Sequence, residues 1–213
     1  MIPKVIQQFT YWPIYLTLKF FFRYRVEGQE NLKGLEDKAV IFVSNHASYL
    51  DGPVCAAAMP RDLVVPHKFF PIRFLVVKEY FNYWKNSFPF PISFLVATYV
   101  RANGYILVIK GLGDFRQNLA EAVKALEKGA KIWIYPEGKL TLDGKLQPGK
   151  KGAAYLHQTT GALIVPVGLN GTFGILKSKK IKIKIGKPID FISKFSLEEG
   201  VEKIMREISK LID

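Results

Sequence analysis

Cysteine is almost missing from this chain. Cys55 stands alone among 213 residues, which excludes an internal disulfide and any thiolate metal cluster. It lies in the small-residue run Val54 to Ala58, where a buried structural thiol is expected rather than a nucleophile. Acidic residues are scarce as well: 18 Asp and Glu face 31 Lys and Arg, a net charge of +13. That imbalance points to an anionic partner, whether a membrane surface, a nucleic acid, or an acidic carrier or cofactor. There is also no unbroken apolar stretch of the roughly 20 residues that a spanning helix needs. The nearest, residues 9–22 (FTYWPIYLTLKFFF), is interrupted by Pro13 and Lys19. No small-residue cleavage site follows it, so it does not read as a signal peptide. Internal repeats, linkers and low-complexity segments are lacking too.

What the chain does have is apolar mass. A hydrophobic content of 49%, with 14% aromatics, excludes disorder as the overall state, and 213 residues suit one domain. Apolar runs at Ala39 to Val43, Leu63 to Pro66, Gly104 to Lys110, Lys131 to Tyr135 and Leu163 to Val167 read as strands, mostly buried on both faces. Ile181 to Ile185 alternates strictly with Lys182 and Lys184, the pattern of a half-buried strand whose lysines protect a sheet edge. Helical spacing runs from Gly111 to Lys128 and from Leu197 to Leu211, the latter opened by a Ser196/Glu199 capping box. Strands and helices thus alternate, which predicts a single α/β domain with a largely buried mixed sheet flanked by helices.

Two segments carry unusual apolar weight outside that pattern. In residues 9–22, Tyr11, Trp12 and Tyr15 suit a headgroup level, and Lys19, Arg23 and Arg25 suit anionic lipid. Membrane contact is expected there, with a core-packing helix as the alternative. Residues 69–103 are rich in aromatics and cut by Pro71, Pro89 and Pro91. They suit either the core or a groove for an acyl chain.

The chemistry is concentrated where the first strand stops. Ser44-Asn45 break the run Ala39 to Val43 and His46 stands where that strand would end, at the carboxyl edge of an α/β sheet where ligands bind; Asp51 follows after four residues. The aspartate can cap a helix that starts at Gly52-Pro53, or orient the imidazole so that its other nitrogen acts as a general base. On one continuous helix a five-residue step turns about 140°, so the pair needs a loop or helix start between its members. At a second strand end, Pro136-Glu137-Gly138-Lys139 forms a polar corner. Further on, Lys150 and Lys151 precede a helix near Ala153, the arrangement of an anion site. His67 has no carboxylate at a telling spacing and reads as a turn residue.

In this order, the motifs resemble those of the glycerolipid acyltransferase family typified by 1-acylglycerol-3-phosphate acyltransferases. The blocks are NHASYLD with its HX4D spacing, Gly104 to Lys110, Tyr135-Pro136-Glu137-Gly138 and Ile164-Val165-Pro166-Val167, with a lysine-bearing segment at Leu146 to Gly152. The likeness runs from about Val40 to Asn170. It departs where the family tends to have arginine: here Lys110 and Leu140 stand, with Lys139 one position earlier. Lysine offers a point charge and not a bidentate fork.

The resemblance implies His46 and Asp51 as catalytic residues, and Lys110, Glu137, Gly138, Lys139 and Lys150 as substrate-binding residues. It implies acyl transfer from a thioester, acyl-CoA or acyl carrier protein as cosubstrate, to the hydroxyl of a lysolipid, with no metal or bound cofactor. Residues 1–23 are then a membrane-associating helical segment and 24–213 the catalytic domain of a peripheral, monotopic protein at the cytoplasmic face. Acceptors without a phosphate, and a non-catalytic lipid-binding protein, are the alternatives. Nucleic acid is not expected as a partner, because the aromatics sit in apolar runs rather than between basic residues.

Overall fold

Continuous apolar runs become strands covered on both faces. The computed structural model describes residues 2–61, 67–79, 81–82, 89–109, 114–175, 179–189 and 196–213. Within these the elements are α1 (Ile2–Phe21), β1 (Arg25–Glu27), β2 (Val40–Ser44), α2 (Asp51–Ala57), β3 (Ile72–Val77), α3 (Ile92–Ala102), β4 (Ile106–Val108), α4 (Phe115–Asn118), α5 (Ala120–Glu127), β5 (Lys131–Ile134), α6 (Gly152–Thr160), β6 (Leu163–Asn170), β7 (Lys182–Ile185) and α7 (Leu197–Ser209). One seven-stranded sheet runs in the order β1-β7-β6-β2-β5-β3-β4. All neighbours are parallel except β6 and β7, so the sheet is mixed and the expected α/β class holds.

β2 is central and wholly buried, and its alternation divides the core. Val40 and Phe42 join a cluster with Tyr11, Leu18, Val54 and Trp133, on the side of α1 and α2. Ile41 and Val43 join Leu126, Leu156, Ile204 and Ile208, on the side of α5, α6 and α7. Successive strand side chains point to opposite faces, so one residue of slippage would exchange the two sets. α7 starts as its sequence requires: the Ser196 side chain accepts from the Glu199 amide, and the Glu199 carboxylate accepts from Ser196 N–H at 2.7 Å.

Several expectations change. Lys182 and Lys184 do not guard an edge, because β7 lies between β1 and β6. Lys182 instead pairs with Glu27 at 3.4 Å, and Lys184 with Asp213. Alternation reports half-burial and is silent about strand order. Gly111 to Gly113 lie outside the described residues, and the rest of the helix expected through Lys128 is two pieces that meet at Leu119. β3 falls inside the aromatic region, where no strand was expected, and residues 63–66, read as a strand, lie outside the described residues.

α1 is built into the fold along one side. Tyr11 and Leu18 are core residues. The Gln7 side chain donates to Ile72 O at 2.8 Å and accepts from Ile72 N–H at 2.9 Å, joining the helix to the start of β3. Arg61 lies 3.2 Å from the Phe70 ring centroid and 4.2 Å from that of Tyr11. Its burial lowers the guanidinium pKa to about 10. The other side of α1 is bare: Phe9 is 76% exposed and Phe20 78%. Among the described residues, no helix is long and apolar enough to cross a membrane.

Candidate active site

β2 ends at Ser44, and the side chains of Ser44, Asn45 and His46 each take a different partner. Ser44 turns inward and its hydroxyl accepts from Trp133 Nε1 at 2.8 Å. Asn45 is buried and clamps β6, donating to Leu169 O at 3.0 Å and accepting from Leu169 N–H at 2.8 Å. His46 then leaves the ladder and lines a cavity of about 1040 Å³. Parallel strands deliver their carboxyl ends to one rim, so the segment after β5 arrives beside it.

Asp51 is the first residue of α2 and fully buried. One oxygen, Oδ2, accepts from His46 Nδ1 at 2.9 Å, Ala47 N–H at 2.7 Å and Ser48 N–H at 2.9 Å. The carboxylate therefore reaches back to the loop and the imidazole. It does not act as an N-cap for the turn ahead, where the capping position is Leu50 without a side-chain bond. A carboxylate accepts only, so Nδ1 carries the ring proton and Nε2 is left as the lone-pair nitrogen. His46 keeps a side-chain exposure of 21%, enough to meet a substrate.

The main chain of His46 is held from both sides. Its N–H donates to Glu137 Oε1 at 2.8 Å, and its carbonyl accepts from Thr141 N–H at 2.9 Å. The second Glu137 oxygen accepts from Gln147 N–H at 2.8 Å, so one carboxylate ties the histidine to both arms of the loop after β5. Glu137 is 1% exposed. Burial raises its pKa, against the two amide bonds that pull it down. Expected among the substrate-binding residues, Glu137 has two backbone amides as its partners and does not line the cavity.

Gly138 lies at the cavity with φ +64°. A Cβ there would come within 2.9 Å of Lys150 Nζ, so the missing side chain is what lets that ammonium approach the turn. Lys139 and Lys150 both line the cavity, are exposed, and have no ion-pair partner among the described residues. Lys151 also lines it but pairs with Glu198. Lys110 lies outside the described residues. Most of the remaining lining is apolar or aromatic, including Phe74, Val76, Tyr105 and Val108, with Asn118, Asp143 and Gln147 as further polar members. Cys55 is fully buried, its thiol pushed well up by desolvation and then by Asp51; it is inert packing, as its context implied. No cluster of three or more His, Cys, Asp or Glu side chains able to hold a metal occurs among the described residues.

A family profile described as Acyltransferase matches residues 23–170. The chain belongs to the acyltransferase family. It is 26% identical over 185 residues to the chloroplast 1-acyl-sn-glycerol-3-phosphate acyltransferase of Arabidopsis thaliana, an overlap of 79% of this chain and 44% of that protein. To the human 1-acyl-sn-glycerol-3-phosphate acyltransferase beta it is 27% identical over 164 residues, 77% of this chain and 53% of the other. The crystal structure of the 1-acyl-sn-glycerophosphate acyltransferase PlsC from Thermotoga maritima shares the fold, with a TM-score of 0.66 at 24% identity over 96% of this chain and 80% of that one. The chain spans about half the length of the curated relatives it matches.

For an acyltransferase, the sequence had already marked His46 and Asp51 by their spacing. It did not mark Asn45 as a clamp or Tyr135 as the neighbour of the imidazole, their ring centroids 3.9 Å apart. Both depend on which strands flank β2. Had β2 and β5 been recognised as neighbours, the strand-end position of Tyr135 would have been the signal.

Proposed function

We propose that the protein is an O-acyltransferase that moves a fatty acyl group from a thioester to the hydroxyl of a lysolipid, with 1-acylglycerol-3-phosphate as the foremost acceptor. The observation that carries this reading is the His46–Asp51 pair, bonded at 2.9 Å, whose histidine lines a large, mostly apolar cavity. His46 Nε2 takes the proton of the acceptor hydroxyl as that oxygen attacks the thioester carbonyl. The tetrahedral adduct collapses, the C–S bond breaks, and the departing thiolate recovers the proton from the imidazolium. Products are an ester and a free thiol, with no acyl-enzyme. Asp51 fixes the tautomer and offsets the charge on the ring. General-base help is worth about 10²–10⁴-fold; positioning in the cavity supplies a further share.

The apolar walls suit the acyl chains. Lys139, Lys150 and the start of α6, which lacks a side-chain cap, suit a phosphate. The donor is acyl-CoA or acyl carrier protein. The exposed apolar sides of α1 and α3, together with the net charge of +13, suit peripheral attachment to an anionic bilayer.

The test incubates purified protein with acyl-CoA, or with acyl carrier protein, and a panel of lysolipids, following thiol release and lipid product together. Thiol release that depends on 1-acylglycerol-3-phosphate and yields the diacyl product supports the proposal. Transfer only to unphosphorylated acceptors would reassign the substrate, and no thioester consumption with intact lipid binding would reject catalysis.

A further inference from the structure

We propose that Tyr135 is a positioning residue for the base: its ring holds the plane of the His46 imidazole and stabilises the positive charge that the imidazole gains on taking a proton. This rests on the reading of His46 as general base. The two rings are stacked, 3.9 Å between centroids and 10° between planes. Asp51 grips the imidazole at one nitrogen only, and a ring pinned at one point can still swing about that bond. A flat surface against its face removes the swing, so Nε2 is aimed by two perpendicular constraints.

The platform is itself fixed. Tyr135 directly follows β5, whose Ile134 is in register with Val43 of β2. Two residues back on each strand, Trp133 and Ser44 bond on the same side of the sheet. The Tyr135 carbonyl accepts from Gly138 N–H at 3.0 Å, and its hydroxyl lies 3.9 Å from Cys55 Sγ. Burial, reinforced by Cys55 and Asp51, pushes that hydroxyl well above its ordinary pKa, so the ring presents a neutral, electron-rich face. Such a face attracts a cation within about 6 Å.

Other charges act on the same ring. Asp51 on α2 bonds Nδ1, Glu137 reaches the histidine through its amide, and Lys139, Asp143, Lys150 and Lys151 line the same cavity. Cys55 lies behind Tyr135 and stays neutral. None of these changes when Tyr135 is replaced, so differences among Tyr135 variants report the ring.

Four substitutions decide the matter: Tyr135→Phe, Tyr135→Leu, pentafluorophenylalanine at position 135, and His46→Ala as reference. Assays follow thiol release from acyl-CoA with 1-acylglycerol-3-phosphate. Tyr135→Phe keeps the face and should stay within about threefold of wild type. Pentafluorophenylalanine keeps the shape but reverses the sign of the face. It should lose about 3–30-fold in kcat relative to Tyr135→Phe, with unchanged KM and melting temperature. The acid limb of its kcat/KM profile should move to lower pH, because the imidazolium is less favoured. Tyr135→Leu should lose about 10–100-fold in kcat with little change in KM. Equal kcat and superimposable pH profiles for the phenylalanine and pentafluorophenylalanine proteins would overturn the charge role. Wild-type turnover in Tyr135→Leu would overturn positioning. If Tyr135→Leu does not fold, the two aromatic replacements decide alone. His46→Ala separates the levels: an inactive His46→Ala with a flat Tyr135 series rejects only this inference, whereas an active His46→Ala rejects the base itself.

Discussion

The buried corner behind His46 and the rim of the cavity differ in how many of their polar groups already have protein partners. In the inner corner, Asp51 Oδ2 receives three donors, both oxygens of Glu137 receive backbone amides, and Asp51 and Glu137 are essentially buried. On the rim, Lys139 and Lys150 are exposed and have no ion-pair partners among the described residues. Groups that must act in the transition state need fixed geometry, because reorganisation at the moment of reaction raises the barrier. Groups that recognise a varied headgroup need free donors and room to adjust. Substitutions in the corner should therefore act on turnover, and those on the rim on acceptor affinity.

The largest effect is expected at the dyad. His46→Ala should lower kcat by about 10³-fold or more while leaving the melting temperature near wild type, because the ring is partly exposed. Asp51→Asn should lose about 10²–10³-fold: its carbonyl oxygen can still accept from the imidazole and the two loop amides, but the negative charge that offsets the imidazolium is gone. A circular-dichroism melt run beside the thiol-release assay separates loss of chemistry from loss of fold. Near-native turnover in His46→Ala would remove the dyad from the mechanism.

Glu137→Gln comes next. Glutamine keeps one acceptor oxygen but sets a donor against the second amide, so the loop loses a tie to His46 and kcat should fall about tenfold with KM little changed. The pH dependence has a definite sign. Because the folded fold raises the Glu137 pKa, its contribution to stability is fully present below the ordinary carboxylate range and is lost as pH rises through the raised value. Asp37, Asp143, Glu198, Glu199 and Asp213 are lowered and run the other way, losing stabilisation as pH falls. Thermal melts across the acid range should show the gap between wild type and Glu137→Gln widening as pH falls. A narrowing gap would contradict the assignment.

Rim substitutions should be milder. A charge-assisted hydrogen bond to phosphate contributes about 1.5–3 kcal/mol when desolvated and less when exposed. Lys139→Ala and Lys150→Ala should accordingly raise KM for 1-acylglycerol-3-phosphate by about 3–30-fold each. The smallest kinetic effect is expected on the outer side of α1, where Phe9→Ser with Phe20→Ser should weaken flotation with anionic vesicles and spare activity on a soluble short-chain acceptor. Deleting the helix is a poorer test, because Tyr11, Leu18 and the Gln7 bonds to Ile72 go with it.

The same division explains what could be read beforehand. β2, β5 and β6 announce themselves as apolar runs because both faces are covered, and His46 and Asp51 because their partnership is local, five residues apart. Glu137 was legible as a carboxylate at a strand end, but its partner His46 lies 91 positions away, and nothing in Pro136-Glu137-Gly138-Lys139 says which amides will arrive. The edge role expected of Lys182 and Lys184 failed for a related reason: strand order belongs to the whole sheet. β3 was hidden because Ile72–Val77 follows the aromatic and proline-rich segment around Pro71, whose composition suited core or groove equally well.

The contrast between corner and rim is tested most directly by steady-state kinetics of wild type, Glu137→Gln and Lys150→Ala, each with 1-acylglycerol-3-phosphate and with its unphosphorylated counterpart. The expected result is that Glu137→Gln lowers kcat equally on both acceptors, whereas Lys150→Ala raises KM for the phosphorylated acceptor alone. Equal losses on both acceptors for Lys150→Ala, or a loss confined to KM for Glu137→Gln, would contradict it.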